Sequence, residues 1–235
     1  MNNFWETDLK AGYYDKVLND GLKKKKGIQA NWHNITQLYI KNYIKSHFNH
    51  LDFACGPGTL IGKYTQANSI GVDIAQLQID YANQKYGKNG TFQTTEDFEF
   101  DKYNNYFDVV TVLGLIEFLS LTEIKQLLGK ISSVLKPGGK LILTTPNFRS
   151  LIFPLSEKLG IVNWNGEHKT KLNAKSALKI FEVNTFELIQ IKKIVNFGML
   201  ASFISIKLGI LVESIIQKST RGLIGFVLII ELKKK

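Results

Sequence analysis

Hydrophobic positions follow different periods along this chain, and each change of period marks an element. Across residues 28–48, Ile28, Trp32, Ile35, Leu38, Tyr39 and Ile44 recur at helical spacing, which predicts an amphipathic helix leading into the next segment. Short β-branched and apolar runs then alternate with helical patterns. Strands are expected near 50–54, 69–73, 91–93, 107–113 and 140–145, and helices near 59–66, 76–86 and 121–135. That alternation implies a parallel sheet covered on both faces. Right-handed crossovers bring the carboxyl ends of its strands to one edge.

The last third departs from that rhythm. Residues 186–195 alternate as a strand, and 223–232 make a second, more apolar one. Between them, 196–222 is largely apolar, with only Lys207, Glu213, Lys218 and Arg221 charged. Met199, Leu200, Phe203, Ile204, Ile206, Leu208, Ile210, Leu211, Ile215 and Ile216 are too many for one solvent-facing stripe. A membrane span needs about 20 apolar residues in a run, and Lys207 and Glu213 interrupt this one. A helical insertion packed over a site is expected, with peripheral contact to a membrane surface as the alternative.

At 235 residues with 44% hydrophobic content, the chain suits one α/β domain with modest additions. No repeat or Ser/Pro-rich linker divides it. The expected parts are an N-terminal helical cap (1–48), a core (49–195), the apolar insertion (196–222), and a final strand with a basic tail (223–235). The single cysteine, Cys55, excludes an internal disulfide and suits a reducing compartment. Met-Asn-Asn-Phe-Trp-Glu-Thr-Asp has no basic region followed by an apolar run, so a cytoplasmic protein is expected. The formal charge is +10, and Lys23–Lys26 and Lys233–Lys235 supply seven of the cations in two clusters. Such clusters suit nucleic acid or an anionic membrane, but aromatic residues do not interleave with them as a single-strand platform needs.

Chemistry enters at residues 51–59, Leu-Asp-Phe-Ala-Cys-Gly-Pro-Gly-Thr. A strand pattern here runs into a glycine loop and opens a helix, a nucleotide-binding half-fold. Gly56 and Gly58 let a ligand approach the backbone. Asp73, at the tip of the next strand, is placed to accept hydrogen bonds from both hydroxyls of a ribose. A phosphate-cradling loop needs four residues between its glycine and Gly-Lys-Ser/Thr. Gly58 to Gly62 leaves three, Gly56 to Gly62 leaves five, and Tyr64 replaces the hydroxyl. The dinucleotide fingerprint fails at Ile61, its third glycine position.

The loop resembles that of class I S-adenosylmethionine-dependent methyltransferases, whose pattern reads roughly Leu-Asp-x-Gly-Cys-Gly-x-Gly-Thr. Leu51, Asp52, Cys55, Gly56, Gly58 and Thr59 are in register, and Ala54 replaces the first glycine. Gly71-Val72-Asp73 resembles the ribose strand, Tyr106–Val110 the fourth strand, and Leu135–Gly139 the turn before the fifth. The resemblance implies a Rossmann-like, seven-stranded, mostly parallel sheet with helices on both faces, an antiparallel last strand and helical cap elements.

It also implies S-adenosylmethionine as cofactor, with Asp52, Ala54, Gly56 and Gly58 around its methionine portion. Asp73 would hold the ribose and Ile74 would pack on adenine. Relatives place an aspartate on the adenine amino group; here Thr94 or Thr95 stands there, with Glu96 as the substitute. Leu113 and Gly114 would lie near the sulfur. Tyr13-Tyr14-Asp15 resembles an aromatic lid, with Tyr14 against the cofactor. No metal ligands are expected.

Acceptor chemistry is less constrained. Many small-molecule relatives read Glu-His after the fourth strand, where this chain reads Glu117-Phe118. His168, after Trp164-Asn165-Gly166-Glu167, and His33, beside Trp32, are the candidate bases, with Glu117 a third. The expected function is O- or C-methylation of a small apolar acceptor, quinone- or lipid-like. The alternatives are an RNA or DNA methyltransferase and a noncatalytic module for a membrane or partner. Leu113-Gly114-Leu115-Ile116 stands where amino-group nucleic-acid methylases carry Asn-Pro-Pro-Tyr.

Overall fold

The computed structural model of the chain describes residues 4–152, 154, 158, 168–181, 185–220 and 224–235. Seven strands form one sheet: β1 (Asn49–Phe53), β2 (Asn68–Asp73), β3 (Thr91–Thr94), β4 (Phe107–Leu113), β5 (Leu135–Pro146), β6 (Phe186–Ile194) and β7 (Val227–Lys234). Their order is 3-2-1-4-5-7-6. β1 to β5 pair in parallel, and β7 runs antiparallel between β5 and β6. This is the expected Rossmann-like sheet with a reversed last strand. The order reverses between β1 and β4, where the carboxyl ends of the strands open a ligand crevice.

The α-helices around it whose bounds lie among the described residues are α1 (Tyr13–Lys24), α2 (Ile28–Ile40), α3 (Thr59–Tyr64), α4 (Gln76–Tyr86), α5 (Leu121–Val134), α6 (Ala174–Phe181), α7 (Gly198–Ala201) and α8 (Ile206–Thr220). Alternate residues of the central strands feed two cores. Val110, Leu141, Leu143 and Ile230 pack with Ile124, Ile131 and Phe181 of α5 and α6. Val109, Ile142 and Ile229 pack with Ile35, Ile40 and Met199 on the other face. Both faces are covered, so the central strands read as continuous apolar runs.

Four boundaries differ from expectation. The helix expected over 28–48 stops at Ile40, followed by a 3₁₀ turn at Lys41–Tyr43. Ile44 is extended (φ −113°, ψ 105°) yet still buried; its apolar character reports the core and not the helix. Leu135–Gly139 is an irregularity within β5: the register moves from Phe107 opposite Leu135 to Val109 opposite Lys140, with Gly138 at φ +76°. The final strand starts at Val227, and 221–223 lie outside the described residues. The insertion holds two helices, α7 and α8, in place of one.

Candidate active site

From the end of β1 the chain turns through Ala54, Cys55, Gly56, Pro57 and Gly58 into α3. Ala54, Gly56 and Gly58 have φ of +62°, +52° and +73°, the left-handed region that favours glycine. The two glycines serve different ends. A Cβ on Gly58 would lie 2.6 Å from the Phe92 ring and 2.9 Å from Ala82 Cβ, so packing forbids it. A Cβ on Gly56 would meet nothing within 4 Å. Its bare Cα faces open space at the crevice, as a cradle for a ligand requires.

Asp73, at the end of β2, is joined to this loop. Its Oδ2 accepts from the Gly56 N–H at 2.7 Å and its Oδ1 from the Ala75 N–H at 2.9 Å. The residue is 8% exposed, so it is not the solvent-facing tip that a strand end suggests. Burial raises its pKa, partly offset by these backbone donors. Each oxygen keeps a lone pair for a ribose hydroxyl. Ile74 beside it is 51% exposed, an apolar surface only half covered by protein.

Under the loop lies a chain of buried polar groups that the sequence pattern did not reveal. Thr111 Oγ1 donates to Asp52 Oδ1 at 2.6 Å, His50 Nε2 is 2.8 Å from the same hydroxyl, and His50 Nδ1 is 3.0 Å from Ser69 Oγ. A hydroxyl that donates to Asp52 must accept from His50, which fixes the proton on Nε2. Burial pushes Asp52 up to about 7 and His50 down to about 3. Asp52 is thus directly below the glycine loop, with Oδ1 held by Thr111.

Helix α1 is anchored by Asp15, which is fully buried. Its Oδ1 accepts from Thr59 Oγ1 at 3.0 Å and Tyr86 OH at 2.8 Å; its Oδ2 accepts from Tyr81 OH and Asn19 Nδ2 at 2.8 Å and from the Lys85 ammonium. Hydrogen bonds from Lys85, Tyr86 and Tyr81 outweigh its desolvation and lower its pKa. Thr59 is the first residue of α3, so this carboxylate ties the N-terminal helix to the end of the glycine loop. Gln78 adds to the join, accepting from the Gly12 N–H at 3.0 Å.

Tyr14, next along, leads to the acceptor candidates. Its ring meets His33 edge-on at 5.3 Å. Burial, then Tyr13 and Glu117, raise its phenol pKa. Glu117 is buried after β4, and desolvation pushes it up to about 7 against the opposing pull of the nearby Thr145 side chain; its Oε2 makes no hydrogen bond of ordinary geometry among the described residues. Thr145 Oγ1 and His33 Nε2 share that condition. The edge of the His33 ring is partly exposed, but Nε2 is buried and desolvation holds the imidazole near 4, hence neutral. Gly114, at φ +67°, would place a Cβ 3.8 Å from Glu117 Oε1. His168 packs on Phe118 at 5.0 Å and Phe148 at 5.3 Å, with a pKa lowered by burial and then by Lys171. Trp164–Glu167 lie outside the described residues.

His33 thus packs on Tyr14, while the other two candidate bases lie together, since Phe118, next to Glu117 in the chain, packs on His168. Trp5, unmarked in the sequence, joins them through Phe118 at 5.0 Å. On the adenine side, Thr94 donates to Asp97 Oδ2 at 2.6 Å, the Thr95 N–H donates to Asp73 O at 3.0 Å, and Glu96 is exposed. Asp97, fixed by Thr94, is a further carboxylate at this strand end that the sequence analysis did not single out. Leu113 packs in the second core, with the Gly114 N–H held by Thr144 O at 3.1 Å. A cleft of about 390 Å³ bounded by Ile44, Gly62, Tyr64 and Asn89 lies by the starts of β1 and β3 and includes none of these residues. No group of three or more potential metal ligands occurs among the described residues.

With this geometry in place, comparison with known proteins is informative. Residues 51–139 match the methyltransferase domain family. A ubiquinone biosynthesis O-methyltransferase of Bradyrhizobium sp. (strain ORS 278) is 31% identical over 41% of this chain and 39% of its own length. An mRNA cap guanine-N(7) methyltransferase 1 of Oryza sativa subsp. japonica is 28% identical over 64% of this chain and 46% of its length. The chain thus spans about half or less of these curated relatives. Among solved structures, a SAM-dependent methyltransferase from Archaeoglobus fulgidus superposes with a TM-score of 0.59 at 22% identity, covering 87% of this chain and 94% of that one. Magnesium protoporphyrin IX methyltransferase (ChlM) from Synechocystis PCC 6803, with bound SAH, gives 0.56 at 17% identity, covering 97% and 90%. At these identities the structures establish the fold.

Proposed function

We infer, for a chain that belongs to the class I S-adenosylmethionine-dependent methyltransferases, that it methylates oxygen or carbon on a small apolar acceptor. The observation that carries this reading is the Glu117 carboxyl, buried beside Gly114 at the carboxyl ends of β4 and β5, with Thr145 near it but no hydrogen bond of ordinary geometry to its Oε2. A buried carboxyl oxygen without a partner costs free energy, and an acceptor hydroxyl would satisfy it.

The residues fit the cofactor. Asp73 would hold its ribose, the open face of Gly56 its methionine portion, and Ile74 its adenine. The cofactor, when bound, supplies the electrophilic methyl carbon. The chain's own part is alignment, exclusion of water and movement of one proton. Tyr14 and Trp5 cover the site. Glu117, ionised above about pH 7, accepts the proton of an acceptor hydroxyl, and neutral His33 orients it.

The likeness to the Bradyrhizobium O-methyltransferase supports a small acceptor, and the apolar residues around the site support a hydrophobic one. The likeness to the rice cap enzyme keeps RNA in the test. Purified protein is given methyl-labelled cofactor with a panel of lipophilic phenols, and separately with RNA. Label in a phenol, lost in Glu117→Gln, is the expected result. Label in RNA alone would replace this reading, and cofactor binding with no turnover on any acceptor would make the chain a noncatalytic module.

A further inference from the structure

We propose that the α7–α8 segment and the Lys23–Lys26 loop together form a docking surface for an anionic lipid bilayer. They are distant in sequence, yet hydrogen bonds spanning 175 residues or more join them. The Ile206 N–H donates to Lys25 O at 2.8 Å, the Gly27 N–H donates to Ser202 O at 2.9 Å, and Ser202 Oγ donates to Gly27 O at 3.3 Å. The basic turn is thereby fixed beside the most exposed apolar residues of the segment: Phe203 is 73% and Ile204 71% exposed.

Helix α8 continues this surface. Ile206, Gly209 and Glu213 face the protein, leaving Leu208, Leu211 and Ile215 outward with Lys207 and Lys218 alongside. Glu213, the sole acid between 196 and 222, is turned inward and accepts from the Asn196 N–H at 2.6 Å and Asn196 Nδ2 at 3.0 Å. The outward face therefore carries apolar, cationic and a few hydroxyl groups but no acid. Lys23, Lys24, Lys25 and Lys26 are all exposed, and neither they nor Lys207 and Lys218 form an ion pair among the described residues. Asp20, one turn back on α1, is the nearest acid in the sequence.

An apolar projection ringed by unpaired lysines fits the headgroup boundary of an anionic membrane, with side chains entering the acyl region and ammonium groups on lipid phosphates. A water-facing role leaves the apolar exposure unexplained. At 15 residues α8 is shorter than a span, and no helix among the described residues is long and apolar enough to cross a membrane. β6 runs parallel to β5, so α7 leaves the sheet at the edge that also carries the glycine loop. The inference concerns this surface and does not depend on methyl transfer.

Sedimentation of the full chain with phosphatidylcholine vesicles, with and without phosphatidylglycerol, tests it. Two folded variants are compared: Phe203→Ser with Leu211→Ser, and Lys23→Ser through Lys26→Ser. All six positions are exposed, so thermal unfolding should match the parent. The expected result is binding to phosphatidylglycerol vesicles only, weakened at least tenfold in each variant and by raised salt. No binding to those vesicles, or undiminished binding of the Phe203/Leu211 variant, overturns the proposal. Two other outcomes also overturn it. One is a concentration-dependent dimer that the serine substitutions dissolve, with vesicles left unbound. The other is binding of single-stranded RNA in preference to vesicles, lost in the lysine variant alone.

Discussion

The backbone N–H of Gly56 donates to Asp73 Oδ2 at 2.7 Å. Two parts of one ligand site are thus joined before any ligand arrives: the loop that would cradle the methionine portion and the carboxylate that would hold the ribose. The bond also separates the roles of the loop glycines. Gly56→Ala should fold, at a cost of about 1–2 kcal/mol for a Cβ in the left-handed region, and should lose cofactor affinity because its methyl enters the cradle. Gly58→Ala should fail at the folding step, since Phe92 and Ala82 already occupy the space. Thermal unfolding and cofactor titration of the two variants check the split.

Ala54 offers the opposite test. It holds φ +62° where the family pattern has glycine. Relief of that strain, about 1–2 kcal/mol, is partly offset by the greater freedom of glycine in the unfolded chain, about 0.4–1 kcal/mol. Ala54→Gly should therefore stabilise the protein by about 0.5–1 kcal/mol, read by denaturant unfolding. A destabilised variant would mean that the loop is not strained there.

Asp15 is expected to govern the anchoring of α1. Asp15→Ala leaves the hydroxyls of Thr59, Tyr81 and Tyr86 without their acceptor, at about 2–4 kcal/mol for several lost hydrogen bonds to one charged group. Lys85→Met should cost less, since its ammonium is partly exposed. Hydrogen exchange should show α1 opening in Asp15→Ala while the sheet stays protected. Uniform loss of protection would make α1 an inseparable part of the core.

Glu117 sets a pH dependence. Its carboxyl is raised to about 7 in the folded protein, against 4.5 ordinarily. The folded state then binds the proton more tightly than the unfolded one, so stability is lost as pH rises from about 4.5 through about 7. The loss is about 3 kcal/mol at most. Turnover of a hydroxyl acceptor should rise over the same upper range as Glu117 ionises. Glu117→Gln should flatten the turnover profile, remove Glu117's share of the stability loss while leaving that of Asp52, which is also raised to about 7, and unfold at higher temperature than the parent at pH 8. A turnover profile that survives the substitution would assign the proton transfer elsewhere.

What the sequence disclosed and what it concealed follow the range of the interactions. The glycine loop, Asp73 and the strand alternation depend on local backbone geometry and period, so they were legible. Ile44 misled because apolar spacing reports burial and is indifferent to whether the backbone stays helical. Asp15 is held by Thr59 and by Tyr81, Lys85 and Tyr86, 44 to 71 residues away, and no local pattern marks that meeting. The His50–Thr111–Asp52 chain crosses adjacent strands from distant segments and was hidden for the same reason. His33, Glu117 and His168 were recognisable as candidates by residue type, but the packing of His33 on Tyr14 and of His168 on Phe118 is a property of the fold.

The central claim is that the crevice between β1 and β4 binds S-adenosylmethionine through Asp73. Calorimetric titration of the cofactor, and of NAD as competitor, into the parent and Asp73→Ala tests it most directly. Because Asp73 also holds the Gly56 N–H, unfolding of the variant is followed in parallel to show that it remains folded. The account predicts binding of S-adenosylmethionine in preference to NAD, weakened in Asp73→Ala by about 1.5–3 kcal/mol, the range for hydrogen bonds to a charged group. Unchanged affinity in the folded variant, or tighter binding of NAD by the parent, would contradict it.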